Sequence, residues 1–374
     1  MAEIRQRTAP TEPGPLVLPD SLKNLKDALA KRCGDGVFVM AGNLPPRKHI
    51  PTGIFVADMA TLGGIPRGLI TQVLGMPAAG KTLLSMRAAA SAQRMFPDMY
   101  VACVEPEGTW DTEWAACHGV DNSRLILVRP PDGEAGVDAT DELLRSRDVS
   151  LVILDSLPAL VPKKEIERSA GNDSMGEQAR LMGRFIVKAV NACNEGRRAG
   201  FLPTLLMINQ YRMKVGLVFG DPRSIPGGKA KDYAISLSLE LKKSKEVMGK
   251  DSQGREVADH NDHSIEVKKT KIGGSITAGD FTLCRNRDGK FAAGFIDEGE
   301  TVKGFAKDAG FLGGSAGKYT VDGAIDPSTG EVLIFRTHQD IIDWWYANPV
   351  AFETMKTELI RLQRIKCGYT NQWL

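Results

Sequence analysis

The chain has 374 residues, 42% of them apolar and 25% charged, an ordinary balance for a protein that buries a real core but too long for one core alone, so two or three lobes are expected. A net charge of +2 is too small to demand a polyanionic partner, which would have to be recognised through local basic clusters. The six cysteines are scattered with no C-x-x-C pair, no apolar run approaches the ~20 residues of a membrane span, and the N-terminus lacks a signal-peptide pattern; these features predict a cytoplasmic protein with reduced thiols and no membrane association.

Residues 1–19 are rich in proline, glycine and charge without periodicity, and read as an arm. From Ser21 to Lys31, Leu22, Leu25 and Leu29 recur at helical spacing beside a basic face, which predicts an amphipathic helix that packs on its own core or docks on a neighbouring subunit. From about Gly53, short apolar runs alternate with helical stretches: Leu69–Leu74, Met99–Val104, Leu125–Val128, Leu151–Leu154 and Thr204–Ile208. That alternation predicts an α/β fold with a mostly parallel central sheet flanked by helices.

Within it, Gly75-Met76-Pro77-Ala78-Ala79-Gly80-Lys81-Thr82 is a complete G-x-x-x-x-G-K-[ST] phosphate loop, placed after a strand and before an alanine-rich helix as the motif requires. Its backbone N–H groups and the helix N-terminus suit a phosphate, Lys81 is expected on the β- and γ-phosphates, and Thr82 on Mg²⁺. Val104-Glu105-Pro106-Glu107-Gly108 puts two carboxylates at the end of a strand, either of which could polarise an attacking water. Leu151-Val152-Ile153-Leu154-Asp155-Ser156 ends an apolar strand in a carboxylate that can hold the magnesium through water.

His260-Asn261-Asp262-His263 invites a metal-site reading, but a polar turn is the expectation. Beyond residue 285 the glycine-rich stretch, a hairpin around Pro327–Gly330 and a helix from about Pro349 to Ile365 predict a small α+β C-terminal domain. The expected organisation is an N-terminal arm and oligomerisation helix (1–48), an ATPase core (49–285) and that C-terminal domain (286–374).

In this order and spacing, from about residue 21 to about 365, the motifs resemble the RecA recombinase family. Asn209-Gln210-Tyr211-Arg212-Met213-Lys214-Val215-Gly216, running through Phe219-Gly220 to Gly227-Gly228, is similar to the family's second DNA-binding loop (about 209–229). Pro162–Glu167, followed by Asp173-Ser174-Met175-Gly176 and Ala179-Arg180, resembles the first (about 165–176) and its return helix. The resemblance implies a RecA-type phosphate-loop core and a filament of this chain on single-stranded DNA that pairs it with homologous double-stranded DNA at the expense of ATP, with Mg²⁺.

Residue by residue, it implies Glu107 as the water-activating carboxylate, Glu105 as a structural neighbour, and Gln210 as the group linking the γ-phosphate to the second loop. Asp111 and Trp114 fall where the family contacts and stacks on the adenine, and Lys269 and Lys271 where two lysines reach the neighbouring subunit's ATP. Arg168, Met175, Gly176 and Arg180, with Arg212, Met213, Lys214, Val215, Phe219, Arg223, Gly227 and Gly228, are the implied DNA contacts: cationic groups for phosphates, apolar ones to wedge between bases.

The sequence departs from the family pattern in places. Pro77-Ala78-Ala79 stands where a glutamate and two serines are usual, Asp232 stands where an interface lysine is common, and the family's usual acidic tail is expected to be missing, since Thr370–Leu374 follow a basic helix. A ring helicase, a non-hydrolysing filament switch and a small-molecule kinase share the phosphate loop; the last leaves both DNA-loop segments unexplained, and Glu107 argues against a pure switch.

Overall fold

The computed structural model describes residues 17–167, 175–213, 223–224, 232–274, 276–286 and 288–369, with only the backbone of residues 175, 212, 213, 223 and 224. The chain divides into two compact units, Met1–Pro45 and Pro46–Leu374. The first carries α1 (Asp20–Cys33), which begins with an acidic residue and ends with Lys31 and Arg32, as the helix dipole favours. None of its residues is buried, and Leu22 and Leu25 lie in the open.

The second unit begins with β1 (His49–Ile50), α2 (Phe55–Ala60), β2 (Ile65–Pro66), β3 (Ile70–Gly75), α3 (Lys81–Met95), β4 (Tyr100–Val104), α4 (Thr112–Cys117), β5 (Leu125–Val128), α5 (Gly133–Arg145), β6 (Val149–Leu154), α6 (Lys163–Glu167), α7 (Met175–Arg198) and β7 (Leu205–Gln210). It continues with β8 (Arg212–Met213), β9 (Arg223–Ser224), β10 (Leu237–Lys250), β11 (Glu256–Thr270), β12 (Ala278–Cys284), β13 (Ile296–Asp297), α8 (Gly299–Asp308), β14 (Leu312–Ser315), β15 (Lys318–Val321), α9 (His338–Ala347) and α10 (Pro349–Lys366).

Nine strands form one sheet in the order β13-β12-β11-β10-β3-β7-β6-β4-β5. From β5 to β10 every neighbouring pair is parallel; β11, β12 and β13 then extend the sheet antiparallel. The fold is therefore the expected α/β architecture with a mostly parallel centre. Every residue of β3 and β6 is buried, because helices cover both faces of a parallel sheet.

Alternate side chains of β4 and β6 feed two separate cores. Val101, Cys103, Leu151 and Ile153 join α2, α3 and the C-terminal helices on one face, while Ala102, Val104, Val152 and Leu154 join α5 and α7 on the other. The segments beyond residue 285 belong to the first of these cores: Trp345, Phe352, Leu359 and Ile360 lie in the same apolar cluster as Ile50, Phe55 and Leu84. Polar ties reinforce the joint. Lys356 reaches Glu298 at 3.1 Å, Glu298 accepts the N–H of Phe55, and the buried Arg364 donates to the carbonyl of Leu62.

One expectation is corrected. His260–His263 is not a turn but part of β11, paired on both sides, and among the described residues no three His, Cys, Asp or Glu side chains gather as a ligand set. The polar run reads as a turn because strand alternation is masked when the residues on both faces are hydrophilic.

Candidate nucleotide site and DNA-loop segments

The phosphate loop leaves the sheet at Gly75, a position that admits no side chain: a Cβ there would lie 2.5 Å from the carbonyl oxygen of Leu241. The loop turns through Met76–Ala79, with Ala78 at φ 60°, and Gly80 at φ 92° takes the left-handed conformation that aims the chain into α3. The unpaired N–H groups of the first turn of α3 and the dipole of that 15-residue helix converge on the same spot.

Lys81, the first residue of α3, is buried and donates to the carbonyl of Met76 at 2.8 Å. Burial pushes its ammonium down from the ordinary lysine value, while the charges of Asp155 and Glu107 push it back up, so both carboxylates face the same cation. Thr82 donates its hydroxyl to Asp155 Oδ2 at 2.7 Å, joining the start of α3 to the end of β6. Burial raises the Asp155 carboxyl to about 6, a shift that the Thr82 hydrogen bond restrains and the charge of Glu107 reinforces. A hydroxyl and a carboxylate side by side are the hard oxygen donors a magnesium ion takes, so the residues present fit that ion.

The two carboxylates after β4 differ in what they do. Glu105 is buried; it accepts the N–H of Thr109 and lies 3.5 Å from Arg129 Nε, which ties down the turn. Glu107 is exposed, and its Oε1 accepts the Ser156 hydroxyl at 2.6 Å. Ser156 follows Asp155 directly, so β6 delivers two consecutive side chains, one to Thr82 and one to Glu107.

Asp111 caps α4 by accepting the N–H of Trp114 at 3.0 Å. Trp114 is half-buried, packs edge-on against His118 with ring centres 4.6 Å apart, and lines a cleft whose floor is the phosphate loop. The opposite wall comes from β11 and the end of β12: Asn261, His263, Leu283 and Arg285. None of these four was singled out in the sequence as a nucleotide neighbour, because β11 is brought beside the loop only by a strand pairing more than 150 residues distant in sequence.

Gln210 ends β7 directly beside Gly75, its ladder partner, so the second DNA-loop segment begins one strand away from the phosphate loop. A chain of side-chain hydrogen bonds crosses the sheet beneath it, from Asn209 to Gln72 and from Gln72 to Ser238, each 3.2 Å. The loop leaves the sheet through β8, which pairs with β9, Arg212 opposite Ser224 and Met213 opposite Arg223. Lys214, Val215, Phe219, Gly227 and Gly228 lie outside the described residues, as does Arg168. Met175 and Gly176 open α7, where Gly176 and Arg180 are exposed.

Lys269 and Lys271, near the end of β11, donate to the carbonyls of Asp232 and Tyr233. A feature the sequence reading missed lies behind them. Glu240 of β10 is 1% exposed, and Lys242 and Lys268 approach it at 3.3 and 3.2 Å. Burial alone would raise this carboxyl, but hydrogen bonds from Tyr211, Lys268 and Lys242 hold it below the usual glutamate value. Among the described residues no helix is long and apolar enough to cross a membrane.

Comparison with known proteins agrees with this layout. The sequence profile of the RecA N-terminal domain matches residues 21–287. The Protein RecA of Streptomyces avermitilis is 35% identical over 298 residues, covering 78% of this chain and 75% of that protein. The proteins of the same name from Nocardioides sp. and Kineococcus radiotolerans are each 32% identical over 311 residues, 81% of this chain and 83% and 84% of theirs.

Proposed function

Since the chain belongs to the RecA family, we propose that it is a recombinase in DNA recombination and repair: an ATP- and Mg²⁺-dependent enzyme that assembles as a filament on single-stranded DNA and catalyses homologous pairing and strand exchange. The observation that carries this reading is the convergence of four groups from three elements at the start of α3: Lys81 and Thr82 from α3 itself, Asp155 after β6, and Glu107 after β4, with Gln210 one strand away at the root of the second loop.

In this reading Lys81 and the loop amides hold the phosphates, Thr82 and Asp155 hold magnesium, and Asp111 and Trp114 receive the adenine. Magnesium would supply charge neutralisation of the transferring phosphoryl group. Glu107, held by Ser156, orients a water and accepts its proton. Gln210 reports the state of the cleft to the loop that begins beside it. Lys269 and Lys271 exchange the carbonyls of Asp232 and Tyr233 for the neighbouring subunit's nucleotide when a filament assembles, which ties turnover to assembly. The two loop segments grip phosphates through Arg168, Arg180, Arg212, Lys214 and Arg223, and bases through Met213, Val215 and Phe219. Recognition of homology is left to base pairing.

The deciding experiment measures ATP hydrolysis with and without single-stranded DNA, and filaments by negative-stain microscopy, for the wild-type chain and Glu107→Ala. DNA-stimulated hydrolysis, with filaments that survive in the variant without turnover, is expected. Hydrolysis indifferent to DNA, with no filament, would overturn the recombinase reading.

A further inference from the structure

The phosphate loop of this chain carries Pro77, Ala78 and Ala79 between its glycines, three side chains with no hydrogen-bonding atom. Loop conformation has to be fixed from elsewhere, because the amides that would meet a phosphate are useful only if the peptide planes are held in place before it arrives. Within the motif two bonds do this, both to the Met76 carbonyl: the Ala79 N–H, long at 3.3 Å, and Lys81 Nζ at 2.8 Å; neither holds the Ala79 carbonyl itself.

His263 supplies a further hold from outside, on the Ala79 carbonyl. It belongs to β11, is 1% exposed, and its Nδ1 lies 3.1 Å from the carbonyl oxygen of Ala79. A carbonyl can only accept, so Nδ1 carries the proton and donates. The ring is fixed in turn: it stacks on Phe281 of β12 with centres 5.1 Å apart and planes 10° from parallel, and a Cβ placed on Gly80 would sit 3.5 Å from it. Its other nitrogen, Nε2, is buried without a hydrogen-bond partner among the described residues, so the Ala79 bond is the polar contact that justifies a histidine here. Burial pushes the imidazole below its ordinary pKa, which keeps it neutral and in this single tautomer near neutral pH.

We propose that His263 is a positioning residue for the phosphate loop: by donating Nδ1–H to Ala79 it orients the Ala79–Gly80 peptide so that the loop amides face the phosphates, a task the Pro77-Ala78-Ala79 side chains cannot perform. The proposal rests on the nucleotide-binding reading above. It also assigns a purpose to the polar tract 260–263, which neither a turn nor a metal site explains.

The test is MgADP binding by calorimetry, with thermal unfolding as a control on folding, for the wild-type chain, His263→Phe, His263→Asn and His263→Gln. Phenylalanine keeps the stack on Phe281 and loses the donor. Asparagine presents an amide N–H close to the position of Nδ1, and glutamine one bond further out. MgADP affinity is expected to fall about tenfold in His263→Phe and His263→Gln, the scale of one lost oriented hydrogen bond, and to return to within about threefold of wild type in His263→Asn. Should phenylalanine prove insoluble, the asparagine and glutamine pair alone decides. Equal affinity in all four proteins, or equal loss in asparagine and glutamine, overturns the positioning role while leaving nucleotide binding intact. A wild-type chain that does not bind MgADP overturns both readings.

Discussion

Asp155 and Thr82 stand 2.7 Å apart, 73 residues from each other in sequence, and their contact closes the gap between the carboxyl end of β6 and the N-terminus of α3. The carboxylate is held in a setting that disfavours its charge, with its pKa raised to about 6 by burial first and by the neighbouring charge of Glu107. In the nucleotide-free protein this is a cost of function.

Asp155→Asn should therefore stabilise the nucleotide-free protein. A carboxyl whose folded pKa lies above its unfolded value penalises the fold most above the folded pKa, near 6, and the penalty vanishes below the unfolded one, 3.8. The Tm of the variant should exceed that of the wild type at pH 7.5, and the two should converge near pH 4. In the same variant Mg²⁺-dependent nucleotide binding should be lost. A Tm difference that is constant with pH would show that the carboxyl is not the source.

Glu107→Gln should bind nucleotide normally and turn it over about 10²- to 10³-fold more slowly, the usual scale for loss of a general base. Ser156→Ala removes the 2.6 Å hydrogen bond that holds Glu107 without removing the carboxylate. Its kcat should fall by less, about tenfold or under, with KM unchanged. Steady-state kinetics on the pair separates the group that acts from the group that holds it.

Glu240 is the reverse case to Asp155. Its pKa is depressed because Tyr211, Lys268 and Lys242 donate to it, so its contribution to stability is present above the unfolded value of 4.5 and is lost as pH falls through the folded one. Glu240→Gln should cost stability at pH 7, and the cost should fade only as the pH drops below 4.5 through the folded value. Since Tyr211 is the first residue after Gln210, the variant should also weaken the stimulation of hydrolysis by single-stranded DNA while sparing the DNA-free rate. Comparing Glu240→Gln, Tyr211→Phe and the double variant checks this: a coupled pair gives less than additive losses.

Leu359→Ala, on the buried side of α10, should destabilise the whole second unit by about 2–5 kcal/mol in urea unfolding, since Leu359 is 3% exposed in the cluster that also holds Phe55 and Leu84. Unfolding should remain a single transition. Two resolved transitions would mean that the C-terminal segments fold apart from the ATPase core.

Much of this protein is local in sequence and could be read there. The phosphate loop, five of the six parallel strands and the last helix rest on short-range signals: glycines at fixed offsets, apolar runs, a proline at a helix start. Leu125–Val128 is a strand in both readings, and Pro349–Ile365 differs from the observed helix by one residue.

What tertiary structure decided is everything that depends on which strand lies beside which. Glu105 and Glu107 are equivalent as text; only the folded chain puts Ser156 against one and Arg129 against the other. The His260–His263 tract has no legible period, because both faces of β11 carry polar groups there, and pairing between β10 and β12 made it a strand and carried His263 under the phosphate loop. The physical reason is the same in each case: dihedral preferences and periodicity act over a few residues, whereas the register of a nine-stranded sheet is chosen by burial of two apolar layers at once.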